Sequence, residues 1–124
     1  MLDPYGGPRE TSCIGQDCRR YLPAMTDREA KAALAYCRSR IDVVDRHIVS
    51  LLNERTRIVE EIGSVKRKMQ MPIYEPKRED EVFANAMAAN TGPLSPEAVK
   101  RIFERIIDEM RVVQKTKMES SSKC

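Results

Sequence analysis

LAYCRSRIDVVDRHIVSLLNERTRIVEEIGSVKRKM, residues Leu34 to Met69, sets apolar side chains at alternating steps of three and four: Leu34, Cys37, Ile41, Val44, Ile48, Leu51, then Ile58, Ile62, Val65 and Met69. That spacing predicts a seam along one side of a single long helix. One position breaks the seam. Between Leu51 and Ile58, where an aliphatic residue belongs, stands Arg55. A guanidinium on an apolar stripe is costly unless an anion pairs with it. By itself this is compatible with an arginine that snorkels to solvent or meets an internal carboxylate.

The same helix is too long for one chain to cover. Thr26-Asp27-Arg28-Glu29 forms a capping box that opens it near Asp27, and the pattern continues to about Lys68. At 1.5 Å per residue that is about 60 Å, against a diameter of about 30 Å for a compact domain of this size. The ends therefore need a partner, and a second copy of the chain is the simplest one. Gly63 inside the helix costs about 1 kcal/mol relative to Ala, which points to a close approach there.

Composition agrees with an all-α protein. The 124 residues suffice for one domain, 41% are hydrophobic, only 5% are aromatic, and there is no Trp. The net charge of +3 is spread so that it cancels over most of the chain. Residues 25–114 carry sixteen basic and fifteen acidic side chains. An extended nucleic-acid-binding face is not indicated. Four cysteines (Cys13, Cys18, Cys37, Cys124) form no C-x-x-C pair and His47 is the single histidine, so no metal site is expected. Cys37, on the stripe, reads as a small buried hydrophobe. No 18-residue apolar run and no apolar leader are present, which makes a membrane span unexpected and the cytoplasm the expected location.

Residues 1–24 are rich in Pro, Gly and charge and are expected to be a disordered extension, with Met25 an alternative natural start. Residues 25–115 form the domain. After the long helix, the two prolines of Met71-Pro72-Ile73-Tyr74-Glu75-Pro76 make an extended link. Pro76 opens a second helix running to about Asn90, burying Val82, Ala86 and Ala89 with Phe83 beside them. Thr91-Gly92-Pro93 ends it. Ser95-Pro96-Glu97 caps a third helix with Val99, Ile102, Phe103, Ile106, Ile107, Met110 and Val113 inward. The pattern dissolves from Lys115, so residues 116–124 are expected to be a frayed polar tail.

Several polar side chains fall on inward positions. Lys66 lies eleven residues after Arg55, about 20° around the helix. Gln114 shares the inner face of the third helix, and Arg78 and Glu79 sit in the first turn of the second. Each has an ordinary explanation as a solvated or surface-paired group. Together they describe a cationic pocket for a small anion. Arg38 lies about 25 Å along the axis from Arg55 and cannot share a small ligand with it in one chain. In an antiparallel pair of long helices, Arg38 of one chain reaches the pocket of the other.

The runs Arg38-Ser39-Arg40-Ile41-Asp42-x-x-Asp45, Leu51-Leu52-Asn53-Glu54-Arg55, Gly63-Ser64-Val65-Lys66, Pro72-Ile73-Tyr74-Glu75-Pro76-Lys77-Arg78-Glu79 and Ile102-Phe103-x-x-Ile106-Ile107, ending in Gln114, occur in the order and spacing of the all-helical class of chorismate mutase, which residues 30–115 resemble. The resemblance implies three helices per chain interlaced into an intimate homodimer with two sites, and rearrangement of chorismate to prephenate on the branch toward Phe and Tyr. It implies that Arg38 from the partner chain binds the ring carboxylate and Arg55 the enolpyruvyl carboxylate. It further implies that Lys66 and Gln114 hydrogen-bond the ether oxygen, that Glu79 accepts from the ring hydroxyl, and that Arg78 helps order the site. Glu75 stands where many members have Asp, at a contact made largely by backbone. Met110 stands where many have a Ser that helps hold the ring carboxylate. The rearrangement is intramolecular, so no nucleophile, metal or redox cofactor is expected. The same scaffold also serves an isochorismate-pyruvate lyase, whose substrate is likewise a dianionic enolpyruvyl ether; Glu79 favours the mutase. A non-catalytic helical dimer regulating a shikimate-pathway enzyme has no need of inward Arg55, Lys66, Glu79 and Gln114.

Overall fold

The computed structural model describes residues 24–122, which contain three helices in chain order: α1 (Asp27–Met69), α2 (Pro76–Ala89) and α3 (Pro96–Ser122). The extension expected over residues 1–24 lies, apart from Ala24, outside the described residues, as do the last two residues of the tail. The chain divides into two units after Leu52, inside α1.

In the first unit, Thr26 caps α1. Its hydroxyl accepts from the Glu29 amide at 3.1 Å and donates to Glu29 Oε1 at 3.0 Å, the arrangement its Thr-x-x-Glu spacing predicts. The stripe Leu34, Ile41, Val44, Ile48 and Leu51 is exposed, between 39 and 64%. Cys37 is half-buried rather than a core residue, and the stripe around it is exposed among the described residues.

In the second unit, α2 and α3 pack against each other, and the core is small: Val59, Val99, Ile107 and Met110 are its buried apolar residues. The stripe of α1 that is buried here is not the expected seam. Val59, Gly63 and Lys66, with half-buried Arg55 above them, face inward, while Ile58, Ile62, Val65 and Met69 are exposed. Two neighbouring stripes share this segment, and a single chain covers only one of them. Gly63 makes the close approach. A Cβ there would lie 3.6 Å from Gln114 Cα and 3.7 Å from Lys117 Cβ, so the α1 and α3 backbones nearly touch.

That contact also accounts for the length of α3. Its apolar pattern ends at Gln114, yet the helix continues to Ser122, with Lys117 and Met118 half-buried. Packing beside Gly63 and the helix propensity of Lys, Met and Glu extend it past the apolar signal. In α2 no residue is fully buried: Val82, Phe83 and Ala86 are half-buried, and Ala89, expected inside, is exposed where the helix ends. Ser95 caps α3 as its sequence predicts, accepting from the Ala98 amide at 3.1 Å.

Candidate active site

The last turn of α1 and the link after it build one wall of the site. Gln70 takes a left-handed conformation, φ 58°. Its amide donates to Arg67 O at 3.2 Å, and the Met71 amide donates back to Lys66 O at 2.8 Å. This is a Schellman ending, with glutamine where glycine is usual. It folds the link back over the helix, so that Lys66 Nζ donates to Ile73 O at 2.9 Å and pairs with Glu75 Oε1 at 2.7 Å. Lys66 is only 7% exposed. An ammonium carries three donors, and two are engaged here.

Arg55 sits one face higher on α1. It is half-buried and makes no ion pair among the described residues. Burial, and after it the positive charge of Arg78, push its pKa below the ordinary arginine value. Both causes favour binding of an anion, which would offset the unpaired charge.

The first turn of α2 contributes Arg78 and Glu79, which do not pair with each other. Arg78 pairs with Glu81 at 3.2 Å and is largely exposed. Glu79 is 16% exposed and is gripped from α3 by Arg111, whose Nε donates to Oε2 at 2.8 Å and whose Nη2 donates to Oε1. Arg111 Nη1 also donates to Asp108 at 2.8 Å, and the guanidinium lies over the Tyr74 ring, 5.4 Å from its centroid. The hydrogen bond to Glu79 is the main cause of an Arg111 pKa raised above the ordinary value.

From the inner face of α3 come Met110 and Gln114. Thr56 Oγ1 donates to Met110 Sδ at 3.7 Å, so the thioether fills part of the wall. Gln114 Oε1 is buried without a hydrogen-bond partner among the described residues. A buried amide oxygen of that kind is uncommon in a folded protein and marks a place for a donor or a ligand. Which end of the amide faces the hollow follows from its eventual partner.

These residues line one cavity of about 450 Å³ within the second unit, the size of a small-molecule site. Of the expected residues, Arg55, Lys66, Glu75, Arg78, Glu79, Met110 and Gln114 all line it. Arg38 does not; it is exposed on α1 in the first unit. Arg111 was missed by the sequence analysis. Its signal was available, since it falls four residues after Ile107 and three before Gln114, on the inner face. The lining holds four cations (Arg55, Lys66, Arg78, Arg111) and two carboxylates (Glu75, Glu79) among aliphatic walls. Its net charge of two positive units suits a small dianion with apolar faces and a polar hydroxyl or ether.

The family model described as chorismate mutase type II matches residues 37–115. A bifunctional chorismate mutase/prephenate dehydratase of Aquifex aeolicus is 35% identical over 82 residues, 63% of this chain and 23% of that protein. The chain thus spans under a quarter of the length of the bifunctional relatives it matches. A 4-amino-4-deoxychorismate mutase of Streptomyces pristinaespiralis is 33% identical over 89 residues, 70% of this chain and 68% of that one. Among solved structures, form II of the chorismate mutase of Thermus thermophilus superposes with a TM-score of 0.65 at 35% identity, over 66% of this chain and 93% of that one.

Proposed function

The chain belongs to the type II chorismate mutase family, and from that premise we propose that it rearranges chorismate to prephenate in aromatic amino acid biosynthesis. The observation that carries this is the cavity charge: two positive units, with Arg55 lacking a carboxylate partner among the described residues, for a substrate with two carboxylates. In the reaction the ether C–O bond breaks as a C–C bond forms within one molecule, and no proton is transferred. The protein's task is to hold the compact conformer and to stabilise negative charge growing on the ether oxygen. Lys66, anchored by Ile73 O and Glu75 with a donor to spare, supplies a fixed cation for that oxygen. Gln114 adds the second contact by donating from its amide nitrogen, with the side-chain amide turned so that Nε2, and not the Oε1 that lacks a partner among the described residues, meets the ether oxygen. Arg55 binds the enolpyruvyl carboxylate, Glu79 accepts from the ring hydroxyl, and Arg78 adds positive charge at the same end. The backbone at Glu75 lies against the substrate, and Met110 packs where a smaller polar residue would add a ring-carboxylate contact.

The ring carboxylate then needs a cation, and Arg38 of a second copy supplies it. The exposed stripes of α1 in both units support a homodimer in which each site is completed by the partner chain. Mixing Arg38→Ala with Arg55→Ala protein tests this. Statistical exchange of subunits restores about a quarter of wild-type activity if the sites are shared, and none if they are not. Among the described residues no helix is long and apolar enough to cross a membrane, and we place the activity in the cytoplasm. The function is tested by offering chorismate and isochorismate separately to the full chain and following absorbance and product. Prephenate from chorismate is expected; pyruvate from isochorismate alone would transfer the assignment to a lyase.

A further inference from the structure

We propose that Arg111 is the specificity-determining residue of this site: by compensating the charge of Glu79 it selects a neutral hydroxyl over a protonated amine at ring carbon 4 of the substrate. This rests on the mutase reading, in which Glu79 meets that ring position. The chemistry at issue is set by the two substrates. A hydroxyl donates one hydrogen bond and carries no charge, whereas an amine on the same carbon is protonated near neutral pH. A lone, poorly hydrated carboxylate would attract the ammonium more strongly, since hydrogen bonds between charged groups are the stronger ones.

Glu79 is not a lone carboxylate. Arg111 takes one lone pair from each of its oxygens through two parallel N–H groups, leaving other acceptor sites for a substrate hydroxyl while cancelling the net charge. No other cation among the described residues does this. Arg78, the neighbouring candidate, pairs with Glu81. Arg111 is itself held on two further sides, by Asp108 and by the Tyr74 ring, which fixes the plane of the fork. Asp108 is 53% exposed and its charge is screened by water, so the compensation is felt chiefly at the more buried Glu79. Arg111 thus acts through Glu79 as a positioning residue, and its removal turns a neutral pair into a free anion facing ring carbon 4.

The test compares kcat/KM for chorismate and for 4-amino-4-deoxychorismate in the full-length wild-type protein and in Arg111→Met. The ratio of hydroxyl to amine substrate is expected to fall roughly tenfold or more in the variant. Arg111→Gln, which keeps N–H donors without the charge, is the second variant should the first fail to fold, and the same fall is expected. Arg111→Lys keeps the charge but not the two-pronged grip, so its ratio should stay within about threefold of wild type while kcat on chorismate drops. A purely structural role would lower both substrates in parallel. An unchanged ratio in Arg111→Met or Arg111→Gln, or a collapse in Arg111→Lys as large as theirs, overturns the proposal alone. Wild-type protein that converts neither substrate overturns the mutase reading and the proposal with it.

Discussion

Replacing Lys66 by Met separates catalysis from folding. Met has the helix propensity of Lys and a stem of similar length, so α1 should persist. The variant loses a charge-assisted hydrogen bond to Ile73 O, a contribution of about 1.5–3 kcal/mol. It also loses the pair with Glu75, whose side chain is 36% exposed and can turn to water, so that term is under about 1 kcal/mol. Against these losses, a buried ammonium no longer needs to be stripped of water, a penalty of several kcal/mol in the parent. The opposing terms leave a stability change within about 2 kcal/mol of zero. In the transition state nothing offsets the loss. One missing donor to a developing oxyanion costs about 3–4 kcal/mol, or roughly 10²- to 10³-fold in kcat. Urea denaturation and the initial rate of chorismate loss, measured on the same preparation, give both numbers. A folded Lys66→Met protein with near-wild-type turnover would refute the role assigned to this residue.

Outcomes at three further positions follow from the same structure. Arg55→Met should reduce kcat/KM by about two to three orders of magnitude while leaving the melting temperature unchanged or higher. The lowered pKa of Arg55 means that the folded state disfavours its charge at every pH below that pKa, so removing the charge cannot cost that stability. Gly63→Ala fits, because its Cβ would sit in ordinary contact 3.6 Å from Gln114, and should stabilise by about 0.5–1 kcal/mol through helix propensity; Gly63→Leu should push the α3 backbone at Gln114 and reduce turnover at least tenfold, read from paired melts and rates. Gln70→Gly removes a left-handed side chain from the end of α1 and should raise the urea midpoint by the equivalent of about 1 kcal/mol without changing kcat.

Much of this was legible in the sequence because local chemistry decides it. Thr26, Pro76 and Ser95 mark the helix starts through capping and proline geometry, and they operate as their spacing predicts. The inward polar groups are visible because Arg55, Lys66 and Gln114 fall at helical intervals where aliphatic residues belong. Gly63 announced the close approach that α3 makes. What escaped was tertiary. Periodicity finds apolar stripes but does not say which is covered within one chain: the spacing sets Arg55 in line with the exposed seam, whereas the structure has it above Val59 and Gly63. The end of α3 was set by packing at Gly63 and not by its own pattern. The inner-face position of Arg111 can be read from helical spacing, but its partner, Glu79, is 32 residues away, and no local rule pairs two such positions.

The identity of the product formed from chorismate by the full chain, followed by proton NMR in deuterated buffer, tests the functional assignment most directly. A concerted rearrangement in a site built of fixed cations and an amide gives prephenate as the sole product, with no deuterium incorporated, because no proton leaves the substrate. Pyruvate among the products, deuterium in the product, or no turnover by a folded dimer would contradict it.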